Sequence, residues 1–85
     1  MKMRSRSRIK APDGFVVFDY AVWINRDANL AIEYDLDAMQ YVLYANGNGP
    51  VDTWKELGRY DTMDKLAAAV KSSGLVGSVK PGCQL

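Results

Sequence analysis

Histidine is absent from the 85-residue chain, and Cys83 is its one cysteine. Without histidine, the Ser-His and Cys-His pairs of nucleophilic catalysis and histidine-ligated metal sites are excluded. One cysteine cannot form a disulfide within a single chain, which fits a reducing compartment. We therefore expect a cytoplasmic protein that is not an enzyme and that binds no metal or other cofactor.

Long apolar runs are also absent. The longest, FVVFDYAVWI at residues 15–24, contains Asp19 and is too short to span a membrane, so no membrane association is expected. The apolar fraction of 48% and the charged fraction of 25% are those of ordinary globular proteins. We expect a flexible basic arm at residues 1–12, a single folded domain at residues 13–75 and a flexible tail at residues 76–85.

Charge is divided unevenly along the chain. Residues 1–10 carry five bases and no acid, whereas residues 11–85 carry six bases against ten acids. Two interaction surfaces follow from this division. An acidic surface is predicted at Asp19, Glu33, Asp35 and Asp37, and an alternative nucleic-acid-binding arm at Lys2, Arg4, Arg6, Arg8 and Lys10.

Alternation of apolar and polar residues predicts four strands, at residues 15–24, 30–35, 40–45 and 54–60. In the last strand Leu57 is out of phase with Trp54 and Tyr60, which indicates a bulge near Gly58 or partial burial of both faces. The core face of the first strand is predicted from its more apolar set of alternating side chains. These are Val16, Phe18, Tyr20, Val22 and Ile24.

A helix is predicted at residues 63–73, with Asp61 or Thr62 as its N-cap and Gly74 just after its C-terminus. Its apolar stripe consists of Met63, Leu66, Ala67 and Val70. A second helix is an alternative to the third strand, since Leu36, Met39 and Leu43 lie at helical spacing. The short connections favour an α+β fold, a four-stranded antiparallel meander with one C-terminal helix packed on one face.

One helix of about 16 Å covers only one side of such a sheet. If the helix covers Leu30, Ile32 and Leu43, aromatic and apolar side chains remain on the other side, and a patch of that kind marks an interface unless the tail folds over it. The predicted contact residues there are Trp23, Val42, Tyr44 and Trp54. We expect a non-catalytic protein-interaction module that binds a protein partner or forms a homodimer through this face.

The sequence WKELGRYDTMDKL, at residues 54–66, resembles the strand-into-helix endings of small phage and prophage accessory proteins. Some of those proteins inhibit host defence systems. The resemblance implies an accessory or inhibitory role exerted by binding another protein. It assigns no role to any single residue.

Overall fold

A computed structural model describes residues 10–74, and the remaining residues, with most of the predicted arm and the whole predicted tail, lie outside the described part. Five antiparallel strands form one sheet in the order of the sequence, followed by one helix. The fold is thus α+β with a C-terminal helix, but it has one more strand than predicted. The elements are β1 (Val16–Asp19), β2 (Val22–Asn25), β3 (Leu30–Asp35), β4 (Gln40–Ala45), β5 (Lys55–Tyr60) and α1 (Met63–Ser73).

The additional strand arises because residues 15–24 form a hairpin rather than one long strand. The chain reverses at Tyr20 and Ala21, and Val17 then pairs with Trp23. The Asp19 carboxylate accepts a hydrogen bond of 2.8 Å from the Tyr20 N–H, and Ala21 has a positive φ of 56°. Of the residues that ordinarily mark a hairpin turn, this one has no glycine, proline or asparagine and only Asp19.

The predicted core face of this segment was wrong. Val17 and Trp23 are opposite each other in the β1–β2 ladder, so their side chains share a face. Trp23 pairs with Ile32, and Ile32 pairs with Leu43, so these three side chains share a face. All three belong to the core cluster with buried residues of α1, so this is the face that α1 covers. The set predicted to be core is mostly at the surface: Val16, Phe18 and Tyr20 are exposed, Val22 is half-buried, and Ile24 is buried outside the main core.

The helix forms as predicted, because its signals are local. The Thr62 hydroxyl accepts a hydrogen bond of 3.1 Å from the Lys65 N–H, and Gly74 adopts the left-handed conformation with φ 73°. The apolar stripe faces the sheet, with Met63, Leu66 and Val70 buried. The main core is one cluster between sheet and helix. Its buried members are Phe15, Trp23, Leu30, Ile32, Leu43, Met63, Leu66 and Val70.

The bulge in the last strand is confirmed. Leu43 pairs with Gly58, but the next residue, Tyr44, pairs with Glu56, so Leu57 is the extra residue and is 47% exposed. The alternative helix does not form, because β4 continues to Ala45 as a strand.

Two loops at one end of the sheet are joined by hydrogen bonds. The β4–β5 connection contains Gly47 and Asn48, and both of their backbone N–H groups donate to Asn29, to its carbonyl at 3.0 Å and its side-chain oxygen at 2.9 Å. The Asn48 side-chain amide also donates to the Arg26 carbonyl at 2.9 Å. The sequence NGNGP, at residues 46–50, is therefore a loop that holds the β2–β3 turn in place.

Candidate interaction surfaces

The placement predicted for Trp23 was wrong. Its side chain is 9% exposed and belongs to the core, with its ring centroid 6.2 Å from that of Tyr41. Both residues lie on the sheet face that α1 covers. Trp23 is therefore a core residue, and a partner has no access to it in the folded domain.

Val42, Tyr44 and Trp54 lie away from the main core. Val42 is opposite Glu33 and Arg59 in the sheet but is only 1% exposed. The Tyr44 and Trp54 rings are 5.4 Å apart, both are half-buried, and the Trp54 indole N–H donates to the Gly49 carbonyl at 3.0 Å. Burial raises the pKa of Tyr44. This face thus presents one packed aromatic pair instead of the continuous patch of four side chains that was predicted.

The four predicted acidic residues are in different environments. Asp19 accepts the Tyr20 N–H at the β1–β2 turn, whereas Glu33 and Asp37 are exposed. Both carboxylate oxygens of Asp35 accept hydrogen bonds. One accepts from the Asp37 and Ala38 N–H groups in the β3–β4 turn, and the other accepts from Arg59 at 3.0 Å. Within residues 10–74, no group of three His, Cys, Asp or Glu side chains is placed to hold a metal ion.

Arg59 links the acidic residues of two strands. Its guanidinium contacts Asp35 at 3.0 Å and Glu56 at 2.9 Å. The hydrogen bond from Arg59 is the main cause of the lowered pKa of Asp35, followed by the backbone N–H of Ala38. The Arg59 and Asp35 side chains remain 38% and 31% exposed, so solvent screens the pair and its contribution to stability is small.

Replacing Arg59 by alanine is expected to raise the pKa of Asp35 toward its usual value. A depressed folded-state pKa contributes stability above the unfolded-state pKa, and that contribution is lost as the pH falls through the folded-state value. In Arg59→Ala, the free energy of unfolding should therefore decrease less as the pH is lowered from neutral to acidic. Carboxyl NMR titration measures the pKa directly. As a control, Glu56→Gln keeps the Arg59–Asp35 bond and should leave the Asp35 pKa low; an unchanged pKa in Arg59→Ala would contradict the assignment.

The most exposed apolar surface is strand β1, in which only Asp19 was a predicted contact residue. Val16, Val17 and Phe18 are 62%, 73% and 55% exposed, and Tyr20 in the following turn is 85% exposed. Among the strands and helix of the described chain, β1 contacts only β2. No strand of the described residues therefore lies beside its outer backbone edge. The sequence does have an excess of apolar residues on both faces of residues 15–24. The same pattern is found in strands that are buried on both faces, so it did not identify an exposed edge.

The opposite edge of the sheet has a different character. Strand β5 carries Lys55, Glu56 and Arg59, and its ladder is interrupted by the bulge at Leu57. Charged side chains and bulges are the features by which sheet edges avoid pairing with other chains. Strand β1 also has an irregularity, between Val17 and Asp19, but its one charged residue is Asp19 at its end, after three uncharged apolar residues. The two edges therefore differ in how well they are protected from further pairing.

Of the five bases in the predicted arm, only Lys10 belongs to the described part of the chain. It is exposed and lines an open groove of about 330 Å³ with Tyr34, Tyr41, Asp61 and Asp64. Acidic neighbours of this kind favour a base but oppose a phosphate. Lys2, Arg4, Arg6 and Arg8 lie outside the described residues.

Comparison with protein-family models found no match. Comparisons with curated proteins and with solved structures found no significant match either. No helix within residues 10–74 is long and apolar enough to cross a membrane.

Proposed function

We propose that this chain is a non-catalytic protein-interaction module that binds through the free edge of β1. The observation that carries the proposal is the exposure of all four residues of this strand, three of which are large and apolar. Exposed apolar side chains at an unpaired sheet edge provide both components of strand addition. The backbone supplies hydrogen bonds to an incoming strand, and the side chains supply apolar contact.

The position of β1 supports this role. The strand lies outside the region that α1 covers, since α1 contacts β4 and β5. Within residues 10–74, β2 is the only strand or helix that contacts β1. Phe15, immediately before the strand, and Trp23, in its neighbour β2, are buried in the core and anchor the exposed strand to the domain.

Replacing Val17 by lysine tests the proposal. Val17 is 73% exposed, so the fold should tolerate the substitution, while a charge within the strand should block apolar contact at the edge. A tagged chain is used to recover partners from nuclease-treated extract of the cells that express it natively. Proteins bound by the original chain should be lost with Val17→Lys.

The matched control is Leu57→Lys, which places the same charge at an exposed position of the other edge strand. It should retain the partners that Val17→Lys loses. Circular dichroism checks that both variants fold. Partners that remain bound to a folded Val17→Lys variant would refute binding through β1.

Nucleic-acid binding through the basic arm stays an alternative prediction. Its five bases correspond to about five phosphate contacts, so binding to duplex DNA should weaken with salt at a log-log slope between about −3 and −5. Removal of residues 1–10 should abolish this binding in a fluorescence-anisotropy titration. Binding that persists after the deletion, or that does not change with salt, would contradict a role for the arm.

An accessory or inhibitory role of the phage type, and a cytoplasmic location, are the remaining predictions from the sequence. Both agree with a small module that acts by occupying another protein. The predicted contact residues on the face away from the helix, Tyr44 and Trp54 together with exposed Glu33 and Asp37, stay predictions as well. The β1 edge replaces Trp23 as the main proposed contact.

A further inference from the structure

The β4–β5 loop contains the same dipeptide twice, Asn46 before Gly47 and Asn48 before Gly49. An asparagine before a glycine is open to spontaneous deamidation in water, because glycine has no β-carbon to shield its backbone nitrogen. We infer that Asn48 is a site of this covalent modification, and that the fold protects the identical pair at Asn46. The inference concerns a different part of the molecule from β1 and does not rest on the proposed function.

The reaction needs water as its only co-reactant. The Gly49 backbone nitrogen loses its proton and attacks the side-chain carbonyl carbon of Asn48. The new N–C bond closes a cyclic succinimide, while the side-chain nitrogen takes up a proton and leaves as ammonia. Water then opens the ring at either carbonyl and leaves an aspartyl or an isoaspartyl residue at position 48. Access of water to the glycine N–H and freedom of the asparagine side chain are therefore the two structural requirements.

Asn46 meets neither requirement in the folded chain. Gly47 is buried, and its N–H donates to the Asn29 carbonyl at 3.0 Å across the junction between two loops. The Asn46 side-chain amide donates to the Thr53 hydroxyl oxygen at 2.7 Å. Water can reach the Gly47 nitrogen only if the β4–β5 loop moves away from the β2–β3 turn. Reaction at Asn46 thus requires the whole junction to open.

Asn48 is held more loosely. Its side chain is exposed, and Gly49 is half-buried rather than buried. The Gly49 N–H donates to the Asn46 carbonyl at 3.0 Å within the same loop, and the Asn48 amide donates to the exposed Arg26 carbonyl at 2.9 Å. Opening of this one turn brings the Gly49 nitrogen into water while Gly47 stays in place. The two identical dipeptides therefore differ in how much structure must open before they react.

Deamidation at Asn48 would weaken the junction between the loops. The amide donates to the Arg26 carbonyl, whereas the carboxylate that replaces it cannot donate and would be placed against that carbonyl oxygen. The bonds from Gly47 and Asn48 to Asn29 would then hold the two loops together with less support. The Gly47 nitrogen would be exposed to water more often. We therefore expect reaction at Asn48 first, followed by faster reaction at Asn46.

Mass spectrometry of the full chain, incubated at mildly alkaline pH, tests this order. Tandem spectra of the proteolytic fragment that contains both asparagines assign the replacement of NH2 by OH to one of them. In the folded chain, Asn48 should react about tenfold faster than Asn46, the ratio expected when one further hydrogen bond must break. In guanidinium chloride, where the loops are unfolded, the two sites should react at similar rates. This denatured sample is the internal control for the chemistry of the dipeptides.

Two variants test the coupling between the sites. Asn48→Gln keeps a side-chain amide, but its longer side chain forms a cyclic imide far less readily, so the first reaction should disappear. Asn48→Asp carries the charge of the product. It should raise the rate at Asn46 in the folded chain and leave that rate unchanged in guanidinium chloride. Circular dichroism checks that both variants fold.

Equal rates at the two sites of the folded chain, or a faster reaction at Asn46, would overturn the inference. So would a folded chain in which Asn48 stays intact over a period long enough for the denatured chain to react completely. If Asn46 reacts no faster in folded Asn48→Asp than in the original chain, the carboxylate does not loosen the junction and the expected order of reactions is wrong.

Discussion

Replacing Leu66 by aspartate is expected to unfold the domain. Leu66 is fully buried at the centre of the α1 stripe, in the cluster that joins the helix to the sheet. The substitution removes a large apolar side chain and places an unpaired charge in the core, at a cost of several kcal/mol. A domain of this size has little more stability than that to lose. Far-UV circular dichroism at 25 °C should show loss of the folded signal.

The control for this experiment lies two residues along the same helix. Ala68 is exposed, so Ala68→Asp keeps the charge and the helical position but leaves the core intact. It should change the free energy of unfolding by less than about 1 kcal/mol. If Leu66→Asp and Ala68→Asp had the same melting temperature, α1 would not pack on the sheet.

Replacing Gly47 by alanine is expected to have the second largest effect. A β-carbon at this buried position would collide with the backbone carbonyl of Leu30. Backbone atoms cannot move aside as a flexible side chain can, so the loop would have to leave its place against the β2–β3 turn. The hydrogen bonds from Gly47 and Asn48 to Asn29 would be strained or broken with it. We expect a loss of roughly 3 kcal/mol or more, measured by urea denaturation.

Gly74→Ala provides the comparison for Gly47→Ala. A β-carbon at Gly74 meets nothing within 4 Å, so the only cost is that of the positive φ of 73°. That cost is about 1–2 kcal/mol for an alanine. If Gly47→Ala proved no more destabilising than Gly74→Ala, the close contact between the two loops would not exist in solution.

The sequence predicted best those features that depend on neighbouring residues. Thr62 caps α1 with its own side chain, and Gly74 ends the helix with its own conformation. The spacing of Met63, Leu66 and Val70 sets the buried face directly. The bulge at Leu57 was also visible, because one extra residue shifts the phase of an alternating pattern.

The β1–β2 hairpin was missed because its turn has no glycine, proline or asparagine and Asp19 is its one turn-favouring residue. Ala21 takes a positive φ that alanine rarely adopts, and the turn is assisted by the Asp19 carboxylate. Residues 15–24 then read as one strand, and the more apolar alternating set was assigned to the core. The reversal places Val16 and Phe18 at a sheet edge that α1 does not cover. The placement of Trp23, and with it the predicted aromatic patch, was wrong for this reason.

The isolation of β1 also bears on the dynamics of the domain. Its only neighbour among the described elements is β2, so β1 can detach by breaking one short ladder while the core around Leu66 remains intact. Its amide protons should therefore exchange with solvent through local opening, far faster than those of β3 and β4, which have a strand on each side. A partner strand added to β1, as proposed above, would be held by an element that itself opens while the rest of the protein stays folded. The complex would then be no more rigid than the single short ladder between β1 and β2.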